Sequence, residues 1–410
     1  MVHDVMPAGP DTVFENAVLV QPDRLVAGWL RCEEGRIAAW GEGKFPGTPA
    51  ACVDVGECFL APGFVDLHVH GGDGADFMDA TAEAFRTVLQ AHVRHGTTSL
   101  LPTSTVARHE QIREFLSLCR RFSASASDDA EPNHGARVLG AHLYGPYFAP
   151  AARGCHPAAS LRPPEPAEVE QLLHFADAIR TATIAPELPR AQMFASACRA
   201  RGVRLNVGHS HATFEQMVEA IQWGVRHVDH LFCAMSDRAR LRQSQNYPMR
   251  GGVLEATLFF DELTTEVIAD GKHLAPELLR LAAKIKGPDR LALVTDANRA
   301  LDMPDGEYIF GPRDGGEPMQ KRDGVGLTLD GTGLASGVMG MDHAVRTMRA
   351  ATGLPLPEVI RMATLTPARI AGVDHDLGSL DVGKRADFVI LDPQLFVRAV
   401  YQDGVLVCSA

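Results

Sequence analysis

From residue 61 onward the chain repeats one unit, a short apolar run followed by a stretch of helical period. Residues 64–70 alternate as a strand does and are closed by Gly71-Gly72. Thr81 can cap a helix in which Phe85, Val88, Leu89 and Val93 recur at helical spacing, and Gly96 stops it. Ile112, Phe115, Leu116 and Cys119 mark a second helix. Further on, Thr213 and Gln216 offer a capping box and Gly224 a stop. Further strands are predicted at residues 98–105, 136–147, 181–188, 203–210, 227–235, 264–268 and 291–295. This alternation over residues 61–375 predicts an α/β fold, a (β/α)8 TIM barrel with its active site at the C-terminal strand ends. An open doubly wound sheet would need a Gly-rich phosphate turn after a strand, and none is convincing.

The two chain ends read differently. Residues 12–60 form a β meander in which Glu33-Glu34-Gly35 turns a hairpin, and residues 376–410 return to strands around Gln402-Asp403-Gly404. Residues 1–60 and 376–410 are therefore expected to build one small β-sandwich. The segment 365–369 is expected to lie in a helix covering the barrel base. Residues 123–133 are small, polar and acidic, and are expected to be a loop.

Charge and cysteine spacing exclude several classes. A formal charge of −12 argues against nucleic-acid or anionic-membrane partners. None of the eight cysteines forms a Cys-x-x-Cys pair, so neither a zinc knot nor a disulfide framework is expected. No apolar run reaches signal-peptide or membrane-span length, and the chain is expected to be soluble and cytoplasmic.

Polar residues fall where a barrel would use them. His68 and His70 sit two residues apart on strand one, so both point to one face and can hold a metal ion. His209 ends strand five, His230 strand six and Asp296 strand eight. Brought to one mouth, these nitrogen and oxygen donors suit one divalent ion, Zn²⁺ or Fe²⁺.

Motifs along nearly the whole chain carry a family resemblance. They are Ala61-Pro62-Gly63-Phe64-Val65-Asp66 with His68 and His70, Gly145-Pro146, Arg153-Gly154-Cys155-His156-Pro157 and Ala185-Pro186-Glu187. Further on come Gly208-His209-Ser210, His230-Leu231-Phe232, Ile268-Ala269-Asp270-Gly271-Lys272-His273 and Leu293-Val294-Thr295-Asp296-Ala297. With these the chain resembles the amidohydrolase superfamily and, within it, the N-acetylglucosamine-6-phosphate deacetylases. The resemblance implies metal-dependent hydrolysis of an N-acyl group, an N-acetyl, on an amino sugar that can carry a 6-phosphate. It implies Asp296 as catalytic base and then acid, with His230 beside it. His68, His70, His209 and Asp296 would be the metal ligands. His156, Cys233, Ala234, His273, Tyr144 and Arg250 would contact substrate, and the enzyme would be a homodimer.

Two departures from the resemblance matter. Tyr144 stands in His142-Leu143-Tyr144-Gly145-Pro146 where the deacetylases carry a metal-binding glutamate, and a neutral phenol is a poor substitute for a carboxylate. Strand four has no lysine that could be carbamylated to supply a bridging anion either, so one metal ion is expected rather than two. Glu187 could supply a carboxylate only if strand four were shifted; in the family that residue is not a ligand. The second departure is Cys233-Ala234 in place of an Asn-Ala pair, followed by the arginine-rich segment 236–242 and Arg250. Cys233 cannot donate as an amide does, which points toward a substrate other than the family's usual one. Two alternatives keep the same site: hydrolysis of another C–N bond, in a cyclic amide or by deamination, or a metal-dependent sugar-binding protein without turnover. Retention of Asp296 speaks against the second.

Overall fold

The computed structural model describes residues 11–124, 135–243, 248–331 and 333–409, so most of the loop expected at 123–133 lies outside the described residues. The predicted strands form in the predicted order, all in parallel pairs: Phe64–Val69, Thr97–Pro102, Arg137–Val138 with Ala141–Leu143, Ile179–Ile184, Arg204–Val207, Val225–Val228, Thr264–Ile268 and Leu291–Val294. The continuous eight-stranded barrel expected from the alternation is not what the ladders give. They form two arcs, one of three strands (137–138, 97–102, 64–69) and one of six running from 141–143 to 291–294. At the two seams the ladder is reduced to the single parallel bridges Thr103↔His142 and Val69↔Ala297. One break has a local cause. Gly140 takes φ +120, open to glycine but not to a residue with a Cβ, and divides strand three into pieces that pair with opposite neighbours.

The helices follow their sequence signals. Thr81 caps Ala82–Arg94 by accepting from Ala84 N–H. Thr213 and Gln216 form the capping box of Phe214–Trp223, which Gly224 closes at φ +106. The helix Leu365–Ala371 shares an apolar cluster with Val65, Leu67, Leu101 and Val294 from the strands, through Ala368 and Ala371.

Strands from both chain ends do meet, but the expected two-layer sandwich is one hydrogen-bonded sheet of eight strands. Phe59–Pro62 is its junction, pairing in parallel with Thr12–Val20 and antiparallel with Phe388–Leu391. Phe14, Phe388 and Tyr401 fill its core, with ring centroids 4.8–4.9 Å apart. A further antiparallel sheet, Gly306–Phe310, Glu317–Arg322 and Val325–Thr328, has no counterpart in the sequence reading.

Candidate active site and metal centre

The strand ends open into a cavity of about 550 Å³. His70, Tyr144, His156, His209, His230, Cys233, Ala234, His273 and Asp296 all line it, which brings most of the sequence-predicted residues together. Among them His209 at φ +47, His230 at φ +21 and Asp296 at φ +46 occupy backbone conformations that residues with a Cβ rarely adopt. Each sits in the turn just beyond its strand, and the surrounding backbone holds it there. Asp296 N–H donates to His68 C=O at 2.9 Å, and Gly337 N–H to Asp296 C=O at 2.7 Å. Ala149 N–H donates to His209 C=O at 3.0 Å, and Cys233 N–H to His230 C=O at 3.0 Å.

His68, His70 and Asp296 form the tightest group. All are buried, and one ligand atom from each lies within 4.8 Å of the others. Asp296 Oδ1 is 3.2 Å from His70 Nε2 and 3.6 Å from His68 Nε2. The histidine partners fix which nitrogen faces this carboxylate. His70 Nδ1–H donates to Thr103 C=O at 3.2 Å and His209 Nδ1–H to Ala152 C=O at 2.7 Å, since a carbonyl only accepts. His68 Nδ1 lies 2.7 Å from Glu266 Oε1. All three rings are thus left with Nε2 for a ligand, and His68 Nε2 is a buried nitrogen with no hydrogen-bond partner.

Electrostatics agree with a cation at this point. Burial alone would lower the pKa of His68, but Asp296 and Glu266 outweigh it and raise it to about 9, so positive charge is stabilised there. Burial works to raise Asp296, yet His68 and His70 hold it well below the usual carboxylate range. The donor set therefore fits a divalent ion held by His68, His70 and Asp296. His209 lies outside that close group, its ring centroid 5.1 Å from that of His230.

The remaining imidazoles are prepared differently. His156 Nδ1 accepts from Val106 N–H at 3.3 Å, which leaves Nε2 carrying the proton and makes this ring a donor. Burial, then the neighbouring His209, keeps it neutral. His273 Nδ1 lies 2.8 Å from Asp270 Oδ2; burial would lower its pKa, but Asp270 more than compensates and raises it. His230 Nε2 lies 2.5 Å from the Tyr144 hydroxyl. Burial, then the charge on His68, lowers His230 to about 4, and burial, then Asp229, pushes the Tyr144 phenol well up, so both are neutral.

Two residues fall elsewhere. Arg250 does not line the cavity; it is ion-paired with Glu215 at the surface, and it is Arg240 that reaches the cavity wall. Glu187 also turns away, accepting from Ser210 Oγ at 2.7 Å and His211 N–H at 2.5 Å. Sequence reasoning missed Glu266, Asp229 and His227, which lie buried behind the first strand's histidines. An acid in the middle of the apolar strand Thr264–Ile268 was the available signal. It also missed Phe310 and Thr328, which the unforeseen antiparallel sheet brings to the cavity.

A (β/α) framework with a histidine–aspartate centre at its strand ends is the architecture of a metal-dependent hydrolase. Residues 59–407 match the amidohydrolase family, and the chain belongs to that family and is a hydrolytic enzyme. It is 34% identical over 384 residues to the N-acetylgalactosamine-6-phosphate deacetylase of Escherichia coli O157:H7, covering 92% of this chain and 96% of the relative. It is 35% identical over 367 residues to the N-acetylglucosamine-6-phosphate deacetylase of Bos taurus, covering 86% and 84%. In structure it is similar to a mutant N-acetyl-D-glucosamine-6-phosphate deacetylase of Mycobacterium smegmatis in complex with N-acetyl-D-glucosamine-6-phosphate. The TM-score is 0.87 at 31% identity, over 98% of this chain and 100% of the other. Among the described residues no helix is long and apolar enough to cross a membrane.

Proposed function

We propose that the chain hydrolyses the N-acetyl group of an amino sugar 6-phosphate, releasing acetate and the free amine. The observation that carries this reading is the Asp296 carboxylate facing His68 and His70 in a cavity of sugar size, in a chain whose relatives at similar coverage are deacetylases.

The metal would be one divalent ion, Zn²⁺ or Fe²⁺, on His68, His70 and Asp296, with His209 offering its Nε2 as a fourth donor. Such an ion supplies Lewis-acid polarisation and lowers the pKa of water. The chain's own residues do the rest. Asp296, held ionised by its histidine neighbours, takes a proton from the attacking water and returns it to the leaving amine nitrogen. The His230–Tyr144 pair offers hydrogen bonding to the acyl oxygen from the cavity wall. His156 donates from Nε2, Cys233 and Ala234 shape the wall, and Arg240 and His273, both on the cavity lining, meet the phosphate. Arg250 could join them only by leaving Glu215.

In this reading the two arcs of parallel strands act as one (β/α)8 barrel over residues 61–375. The single bridges at both seams support this, and the described part of residues 1–60 and 376–410 is then the β unit built from both chain ends. The enzyme works as a homodimer in the cytoplasm, as the family resemblance implies; eight free cysteines suit a reducing compartment. The test is acetate release from N-acetylated glucosamine and galactosamine, each with and without a 6-phosphate, by metal-loaded protein. Acetate from a 6-phosphate substrate is the expected result, and none from any of the four would refute the proposal.

A further inference from the structure

We infer that Glu266 is a positioning residue for the metal centre, acting through His68. Glu266 lies mid-strand between Thr265 and Val267 and is 1% exposed. Its Oε1 is 2.7 Å from His68 Nδ1 and its Oε2 is 3.1 Å from His227 Nε2, while His230 N–H donates to Oε1 at 3.3 Å. An ionised carboxylate only accepts, so His68 carries a proton on Nδ1 and Nε2 is the nitrogen turned toward Asp296. That nitrogen is buried without a hydrogen-bond partner.

His70 and His209 are oriented by neutral backbone carbonyls. His68 alone among these three is oriented by a carboxylate, which fixes the ring and makes it a stronger donor. The anionic charge absent at Tyr144, on the cavity side of the site, is thus delivered from behind the His68 ring. Glu266 is itself held: His227 Nδ1 lies 2.8 Å from Thr264 Oγ1, so the second carboxylate oxygen meets an anchored ring.

His227, Asp229 and Glu266 also bring ligand atoms within 4.8 Å of one another. They form a hydrogen-bonded network rather than a cation site. Asp229 accepts from Asn206 Nδ2 at 2.9 Å and Thr183 Oγ1 at 2.6 Å, and both Glu266 oxygens are taken by histidines.

The inference rests on His68, His70 and Asp296 being a metal centre, and the test separates the two claims. Zn²⁺ affinity is measured by chelator competition for the whole wild-type chain and for Glu266→Ala, Glu266→Gln and Glu266→Asp, with thermal melting as the fold control. A loss of ~10–100-fold is expected for Glu266→Ala, less for Glu266→Gln, and partial rescue in Glu266→Asp. Nitrogen-15 spectra of the Zn²⁺-loaded wild type should show a hydrogen-bonded Nδ1–H on His68, a readout that needs no variant to fold. Wild-type protein that binds no Zn²⁺ defeats the metal-centre reading and this inference with it. Normal uptake with unchanged affinity in a folded Glu266→Ala defeats this inference alone. Coordination of Zn²⁺ through His68 Nδ1, or loss of a second metal equivalent in the variants, would also overturn it.

Discussion

The Tyr144 hydroxyl lies 2.5 Å from His230 Nε2, so the residue that stands where the family resemblance implies a metal-binding glutamate spends its one polar group on a neighbouring histidine. The pair couples two departures from a two-metal site. Tyr144 offers no anion, and His230 cannot turn Nε2 to a metal without breaking this bond. We therefore expect about one equivalent of metal per chain by elemental analysis, and retention of that metal in His230→Asn with loss of activity. Tyr144→Phe should lower kcat/KM by ~3–10-fold, the worth of one hydrogen bond. Two equivalents in the wild type would show that the pair does not exclude a second ion.

Asp296→Asn should keep the fold, since Ser336 Oγ and Gly337 N–H bond its backbone carbonyl and survive the change. Turnover should fall ~10²–10⁴-fold through loss of the proton carrier, measured as acetate release at saturating metal. Near-normal turnover would remove Asp296 from the mechanism.

Phosphate preference should depend on Arg240 and not on Arg250. Arg240 lines the cavity and contacts His211, whereas Arg250 is engaged by Glu215. Arg240→Ala should narrow the kcat/KM advantage of the 6-phosphorylated sugar by roughly tenfold, the loss of one charge-assisted contact. Arg250→Ala should leave it within about twofold, as for other exposed pairs. The reverse pattern would mean that the surface arginine swings in with substrate.

Stability should carry a pH signature from a cluster that does not line the cavity. His95, just after the helix Ala82–Arg94, meets Asp342 at 2.9 Å and Asp302 at 3.0 Å. Burial would lower its pKa, but the two aspartates raise it from 6.5 to about 9, so its stabilisation is complete below about 6.5 and fades as pH rises through 9. Both aspartates are shifted down despite burial, so their share is present above the ordinary carboxylate range near ~4 and is lost as pH falls. The Tm difference between wild type and His95→Gln should be widest at about pH 4–6.5 and shrink toward pH 10. A difference independent of pH would mean that packing, not charge, is at stake.

Much of this was legible in the sequence for physical reasons. Apolar runs bounded by Gly224 or capped by Thr81 and Thr213 specify elements locally, and strand-end histidines announce themselves by chemistry. What escaped depends on context. Glu266 reads as a mere interruption of a strand until His68 is seen beside it. The strands Gly306–Phe310 and Glu317–Arg322 are half-buried or exposed apart from the buried Phe310 and Met319, and carry no apolar alternation to betray them. Pairing between residues as distant as Phe59 and Leu391 decides whether two chain ends make one sheet or two, and no local pattern encodes it. Arg250 looked equivalent to Arg240 because sequence cannot show which arginine Glu215 captures.

The most direct test of the central claim is turnover of an N-acetyl amino sugar 6-phosphate in ¹⁸O-labelled water, with both products analysed by mass. Water attacking the acyl carbon predicts label in the acetate, none in the sugar, and an amine that keeps its nitrogen. Label in the sugar, with acetamide or ammonia released, would show that a different C–N bond is cleaved and would contradict the account.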